Sequence, residues 1–410
     1  MLYCILVFGE YYYLFKLVIF DLNSDCYRKA ERVLNHIADH SEDIGLVDQG
    51  LALMHQHRDA EALVLLGKVD LDDPAYVDAI IYRGLLFFKL GQTARAISCL
   101  KTALDNDPSN ADAYHHLGVI ALESGDHCLA LSYLRSADAL QPDDPDILAN
   151  LGVALHAEGD VVLAEESLDR SLALDPENTH ALSALCTLYL DTRAREKYRA
   201  YTDFDTFLSI STPPIPGASA DRNPFLTRLG SEIQSCPSLR DAPLHRSTVA
   251  GASTESMSGK AESATETLRA MFVTEAALYA ARLSCPDGHP LAKLGDGTFT
   301  TCMWGNILGA GGHQDSHNHP EAWLSGIYYV SVPDEVGGPD SGQNGWVEFG
   351  RPRIEYYGAD QLDIRLIKPQ AGMMILFPSY IWHRTLPLAG DAPRISVAID
   401  FIPQPHCGTT

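Results

Sequence analysis

Histidine is concentrated in one short stretch. His313, His317 and His319 fall within seven positions, Asp315 stands between them, and His383 follows more than sixty residues later. Imidazole nitrogens and carboxylate oxygens are the donors that hold first-row transition metals, and three on one face leave coordination positions open. Side chains two apart on an extended strand point to the same face. Either His313 with Asp315 or His317 with His319 could then present adjacent ligands, and His383 completes either set. Such a set suits non-haem Fe(II), whose open positions take substrate and oxygen; zinc also accepts three histidines. Arg394 lies eleven residues beyond His383 and bears on the choice of metal. With Ser396 it can meet a carboxylate, the arginine by a bidentate contact. A dicarboxylate chelating the metal at one end would reach Arg394 at the other. Tyr329 is a further candidate to touch such a molecule, and Trp323 a candidate to touch substrate.

The elements that must position these residues read as short strands. TTCMWGNIL, AWLSGIYYVSV, GWVEFG, DIRLIK, MMILFP and RISVAIDFI are separated by Gly, Pro and Asp clusters, the pattern of an antiparallel sandwich or barrel. Alternation along AWLSGIYYVSV predicts one buried and one exposed ring for Tyr328 and Tyr329. Phe377, Pro378 and Trp382 read as core and turn. Ahead of the strands, helical spacing covers 222–236 and 261–284, with a polar loop, HRSTVAGASTESMSG, between them. Pro213, Pro214, Pro216 and Gly217 mark a linker over 205–221.

Upstream, one period dominates. Gly50, Gly84, Gly118 and Gly152 are 34 residues apart, and Ala62, Ala96, Ala130 and Ala164, then Pro74, Pro108, Pro142 and Pro176, keep the same step. The pattern reads as a helix-turn-helix unit. Gly84-type and Ala96-type positions let paired helices approach, while Leu100, Leu134 and Leu168 fill the apolar side. Gly91, Gly125 and Gly159 sit where the first helix of each unit must turn, a place for positive φ. A fifth unit starts near 179 and loses the pattern at 192–199.

The units Leu117-Gly118, Ala130, Pro142 and Leu151-Gly152, Ala164, Pro176 resemble the tetratricopeptide repeat family, which implies an all-α solenoid over 43–204 that binds a protein or peptide. GGHQDSHNHPEAWLSGIYYVSVP, GWVEFGRP, LFPSYIWHRTLPL and RISVAIDFIP resemble a 2-oxoglutarate and Fe(II)-dependent oxygenase family often joined to such repeats. The implied whole is a multidomain α + β protein: an N-terminal extension over 1–42, the solenoid, the linker, and a double-stranded β-helix (jelly roll) with supporting helices over 222–405. The implied cofactor set is Fe(II), 2-oxoglutarate and O2, and the reaction a hydroxylation or related oxidation. The family's H-x-H-P signature falls on His317, Asn318, His319 and Pro320, and its distal histidine on His383. The wider superfamily uses H-x-D, a spacing this chain carries at His313, Gln314 and Asp315, and again at His319 to Glu321. With His317, His319 and His383 as ligands, Asp315 becomes a candidate to orient one of them.

Composition excludes some rivals. The formal charge is −24, with 54 acidic against 30 basic residues, which argues against a nucleic-acid partner. Nine cysteines without a C-x-x-C pair read as reduced, buried thiols of a cytoplasmic protein. Residues 1–20 are apolar, yet Glu10 and Lys16 interrupt them and no basic segment precedes them, which argues against a membrane span or signal peptide. Two alternative functions stand beside the oxygenase: a non-catalytic scaffold with a degenerate jelly roll, and a three-histidine metal dioxygenase that does not use 2-oxoglutarate.

Overall fold

The computed structural model describes residues 45–55, 58–216, 221–241, 247–283, 299–319, 322–336, 342–351 and 362–403. The expected extension over 1–42, residues 217–220 of the linker, Pro320, Glu321 and four of the cysteines (Cys4, Cys26, Cys285, Cys407) lie outside the described residues. The chain divides into two compact units, Met1–Leu185 and Cys186–Thr410.

The first unit is a run of helices: α1 Leu46–His55, α2 Asp59–Leu66, α3 Tyr76–Lys89, α4 Thr93–Asn106, α5 Ala111–Glu123, α6 His127–Leu140, α7 Pro145–Ala157 and α8 Val161–Leu174, with α9 Thr179–Asp191 spanning the division. The repeating residues explain the pairing. A Cβ at Gly118 would lie 2.6 Å from Leu134 Cγ, and one at Gly152 2.6 Å from Leu168 Cγ, so only glycine admits the leucine of the partner helix. Ala62, Ala96, Ala130 and Ala164 are fully buried. Gly91, Gly125 and Gly159 take φ of 73°, 75° and 84° at the turns, as their places require. Side-chain caps start the helices: Asn110, Asp126, Asp144 and Asp160 each accept from backbone N–H groups of the helix's first turn. These are the tetratricopeptide-type helix pairs the period implies.

The fifth unit keeps the geometry after the residue types have gone. At the register of the turn glycines stands Arg193, with φ 59°, between α9 and α10 Arg195–Thr202.

In the second unit, α10 and α11 Phe204–Phe207 are tied to the rest of that unit. Tyr198, Phe204 and Phe207 are buried, Tyr380 donates to Tyr201 O at 2.8 Å, and Tyr279 donates to Phe207 O at 3.0 Å. The segment expected as a linker contributes an edge strand, β1 Ser209–Ser211. The other elements are α12 Asn223–Gln234, β2 Arg240–Asp241, β3 Thr248–Ser253, α13 Ala264–Arg282, β4 Phe299–His317, β5 Leu324–Ser331, β6 Val347–Phe349, β7 Arg365–Ile367, β8 Met374–Pro378, β9 His383–Thr385 and β10 Arg394–Pro403. The expected polar loop thus contains β3; its sequence, TVAGAS, has too few large apolar residues to announce a strand, and a bulge with Ala250 at φ 48° breaks its alternation.

The strands pair antiparallel in the order β1-β8-β5-β10-β4-β9-β6-β7. The 19-residue β4 makes this sheet curl. Its first half, Phe299 to Leu308, pairs with β10, and its far end pairs Gln314 with Thr385 and His317 with His383 of β9. Between them the chain turns at Gly309 to Gly312: Gly311 has φ 71°, and a Cβ on Gly312 would meet Ala250 O and Gly309 O at 2.8 Å. One strand therefore serves both halves of a curled antiparallel sheet, the arrangement of a jelly roll. Tyr328 and Tyr329 are both buried, because α12 and α13 cover the second face of β5: Phe225 and Phe272 stand 6.5 Å from the Tyr328 ring. Among the described residues no helix is long and apolar enough to cross a membrane.

Candidate metal and cosubstrate site

His317 ends β4 and stands opposite His383 in β9, so the cross-strand register rather than the spacing in sequence brings them together. His319 lies two residues further on. The ring centroids of His317 and His383 are 4.3 Å apart, and His319 is 5.1 Å and 5.2 Å from them. One ligand atom from each lies within 4.8 Å of the others.

Hydrogen bonding decides which nitrogens face inward. His317 Nδ1 is 2.7 Å from Asp315 O, His383 Nδ1 is 3.1 Å from Ile381 O, and His319 Nδ1 is 2.9 Å from Asp400 Oδ2. Carbonyl and ionised carboxylate oxygens only accept, so each Nδ1 donates and Nε2 is the nitrogen each ring has left for a metal; that of His317 stands 3.4 Å from Ser247 Oγ. Burial, with His317 and His319 adding to it, pushes the His383 pKa well below its ordinary value and holds the ring neutral. Phe349 and Phe377 pack against His383 at 5.9 Å and 4.7 Å, and Trp304 stacks on His319 at 5.7 Å. Three convergent imidazoles fit a divalent metal by the chemistry of the donor set.

The second cluster lies on the face of β10 that carries Arg394, Ser396, Ala398 and Asp400. Ser396 stands opposite Asn306 of β4 on one side and Tyr329 of β5 on the other. Arg394, 2% exposed, donates to Gly345 O at 2.9 Å and to Thr385 Oγ1 at 3.1 Å, with its guanidinium 5.4 Å from the Tyr329 ring centre. Burial lowers its pKa, opposed only by Tyr329. Among the described residues its hydrogen-bond partners are that carbonyl and that hydroxyl and no carboxylate, its Nε has no partner, and the buried Asn306 Oδ1 has none either. A ligand carboxylate is the group that would answer this guanidinium. His383 and Thr385 share one face of β9 two residues apart, so the two clusters are about 7 Å apart along that strand, the scale of a short dicarboxylate.

His313 and Asp315 are outside this arrangement. They face one another, His313 Nε2 3.5 Å from Asp315 Oδ1, with side chains 28% and 48% exposed. Asp315 acts on the cluster only through its main-chain carbonyl. Trp323 is buried, its main chain bonded to Phe401 and Ser379. Asn306, Thr385, Gly345 and Asp400 join the site without having been picked out from the sequence. A signal for two of them is present: Asn306 and Asp400 are polar residues inside the apolar strands MWGNIL and SVAIDF.

Fold and site together comprise tetratricopeptide-type helix pairs and a curled antiparallel sheet of jelly-roll arrangement that carries the three-histidine cluster. Comparison with known proteins gives the same two parts. Residues 302–400 match the family described as "Putative 2OG-Fe(II) oxygenase", and residues 83–145 and 121–185 match tetratricopeptide repeat families. No curated protein matches the chain. Among solved structures, MamA AMB-1 is 24% identical, covering 38% of this chain and 92% of that one, with a TM-score of 0.33. A thermophilic TPR protein in Thermus thermophilus is 24% identical over 38% of this chain and 85% of its own, TM-score 0.34. YrrB, a TPR protein with an unusual peptide-binding site, is 24% identical over 41% and 88%, TM-score 0.32.

Proposed function

We propose that the chain is an Fe(II)- and 2-oxoglutarate-dependent dioxygenase that hydroxylates a substrate recruited by its repeats, a protein or peptide by the nature of such repeats. The observation that carries this reading is the pairing of two unlike clusters on one strand: three convergent imidazoles that include His383, and a buried Arg394 bonded to Thr385, with no carboxylate pairing it among the described residues. Fe(II) and 2-oxoglutarate, when bound with O2, supply the oxidising chemistry and leave succinate and CO2. The chain's own part is to hold metal and cosubstrate. His317, His319 and His383 present lone pairs to the metal. Arg394, Ser396, Asn306 and Tyr329 receive the far carboxylate. Phe349 and Phe377 pack on the buried His383, which lowers the local dielectric and strengthens charge interactions there. The same proposal places the chain in a reducing, cytoplasmic setting, on the cysteine pattern of the sequence.

The test is succinate release from anaerobically purified protein given Fe(II), 2-oxoglutarate and O2. His383→Ala should abolish it, and absence of any iron-dependent decarboxylation, even uncoupled from a substrate, would refute the reading. The all-nitrogen donor set favours one rival, a three-histidine dioxygenase that needs no 2-oxoglutarate. In that case Arg394→Ala leaves turnover unchanged.

A further inference from the structure

We propose that Asp400 is a positioning residue that supplies, through His319, the negative charge that an all-histidine ligand set lacks. The inference rests on the proposal that His317, His319 and His383 hold a metal ion.

The three histidines are not backed alike. His317 and His383 rest their Nδ1–H groups on main-chain carbonyls, whereas His319 rests its own on a carboxylate. That carboxylate is itself fixed. Ser325 donates to Asp400 Oδ1 at 2.6 Å, so each Asp400 oxygen has one dedicated donor. The His319 and Asp400 side chains are 16% and 14% exposed. Among the described residues no lysine or arginine pairs with Asp400, so its charge is not cancelled locally. The sheet register sets the position: Asp400 stands opposite Ser325 in β5 and Cys302 in β4, held from both sides.

The chemistry follows from the donor count. Three neutral imidazoles leave both charges of a divalent ion uncompensated in a site walled by Phe349, Phe377 and Trp304. A carboxylate on the far nitrogen of one ligand restores part of the missing charge, fixes the tautomer, and makes that ring's Nε2 a stronger donor. Asp400 also shares its strand face with Arg394 and Ser396. One strand, β10, therefore carries the anchor for the far carboxylate at one end and the charge behind a metal ligand at the other.

The experiment is titration of the full-length, metal-free chain with Co(II) alone, read from its visible absorption. Asp400→Asn keeps an acceptor for His319 and a polar group for Ser325 but removes the charge. It should weaken Co(II) binding about 10- to 100-fold and shift the ligand-field bands, while the thermal midpoint of the metal-free protein stays put. Asp400→Glu, which keeps the charge, should bind Co(II) more tightly than Asp400→Asn; Asp400→Ser is the second uncharged variant should Asn fail to fold. Unchanged affinity and spectrum in a folded uncharged variant, or Glu binding more weakly than Asn, would overturn the role given to Asp400 and leave the ligand set standing. Wild-type protein that binds no Co(II) overturns the ligand set as well.

Discussion

Replacing Arg394 with methionine separates the stability of the empty site from its affinity for a dicarboxylate. Removing one member of a closed, buried ion pair usually costs about 3–5 kcal/mol, because the other charge is stranded. Arg394 has no such partner among the described residues, only the Gly345 carbonyl and the Thr385 hydroxyl. Its loss leaves those two acceptors short of a donor, about 1–3 kcal/mol each, and relieves the desolvation of a guanidinium, several kcal/mol in the other direction. The terms oppose, so the ligand-free change should stay within about 2 kcal/mol of zero.

For the bound dicarboxylate nothing offsets the loss. Truncating one partner of a buried, hydrogen-bonded charge pair costs about 2–5 kcal/mol, or roughly 30- to 4,000-fold in affinity. In wild type, 2-oxoglutarate at about 100 times its Kd should stabilise by ~2.7 kcal/mol. For a unit spanning Cys186–Thr410 that raises Tm by about 5–10 °C. At the same concentration Arg394→Met should gain less than ~1 kcal/mol. The assay is anaerobic thermal unfolding of Mn(II)-loaded protein with and without 2-oxoglutarate. A full shift retained by Arg394→Met would refute the assignment of this arginine. A ligand-free loss well beyond about 2 kcal/mol would refute the offset between the orphaned acceptors and the relieved desolvation.

Other perturbations bear on the remaining parts. His313→Ala should leave Co(II) affinity within about twofold of wild type while His319→Ala weakens it more than about tenfold; the reverse order would move the ligand set to His313 and Asp315. In the solenoid, Gly118→Ala should destabilise by ~1–3 kcal/mol in thermal or denaturant unfolding despite alanine's better helix propensity, since its Cβ meets Leu134. Combining it with Leu134→Ala should cost less than the sum of the two, and strict additivity would argue against the contact. Burial lowers the pKa of His115 to about 4 and that of His116 to about 3, from 6.5. Protons therefore bind the unfolded chain first, so the stabilising contribution is complete above pH 6.5 and is lost as pH falls through about 4 and then 3. The slope is about 1.4 kcal/mol per pH unit for one such group, with the stacked pair titrating together; His116→Phe should flatten that acid limb in unfolding curves.

How far each feature can be read from the chain depends on how local its cause is. The solenoid is legible because each unit meets the same steric demand every 34 residues: a glycine under a leucine, an alanine between helices, a glycine at the turn. Where that demand relaxes, the signal fails although the geometry continues, as at Arg193, which takes the left-handed turn that glycine takes elsewhere. The strand from Thr300 is legible as far as Leu308. Beyond it, GAGG reads as a turn, and only the pairing of β4 with β9 shows that the same strand resumes and delivers His317 to His383. The choice between His313 with Asp315 and His317 with His319 is open in the sequence for the same reason. Both pairs have the spacing of two, and what separates them is cross-strand register, which a single strand's alternation does not contain. Asp400 and Asn306 are the limiting case. Each is one polar residue in an apolar strand, expensive to bury alone, and each can be read only with what faces it: His319 and Ser325 for Asp400, and Ser396 for Asn306. A polar residue that breaks an apolar strand's pattern is thus a local trace that a non-local site can leave in a sequence, and Asn306 and Asp400 both lie on the strands that carry or face Arg394.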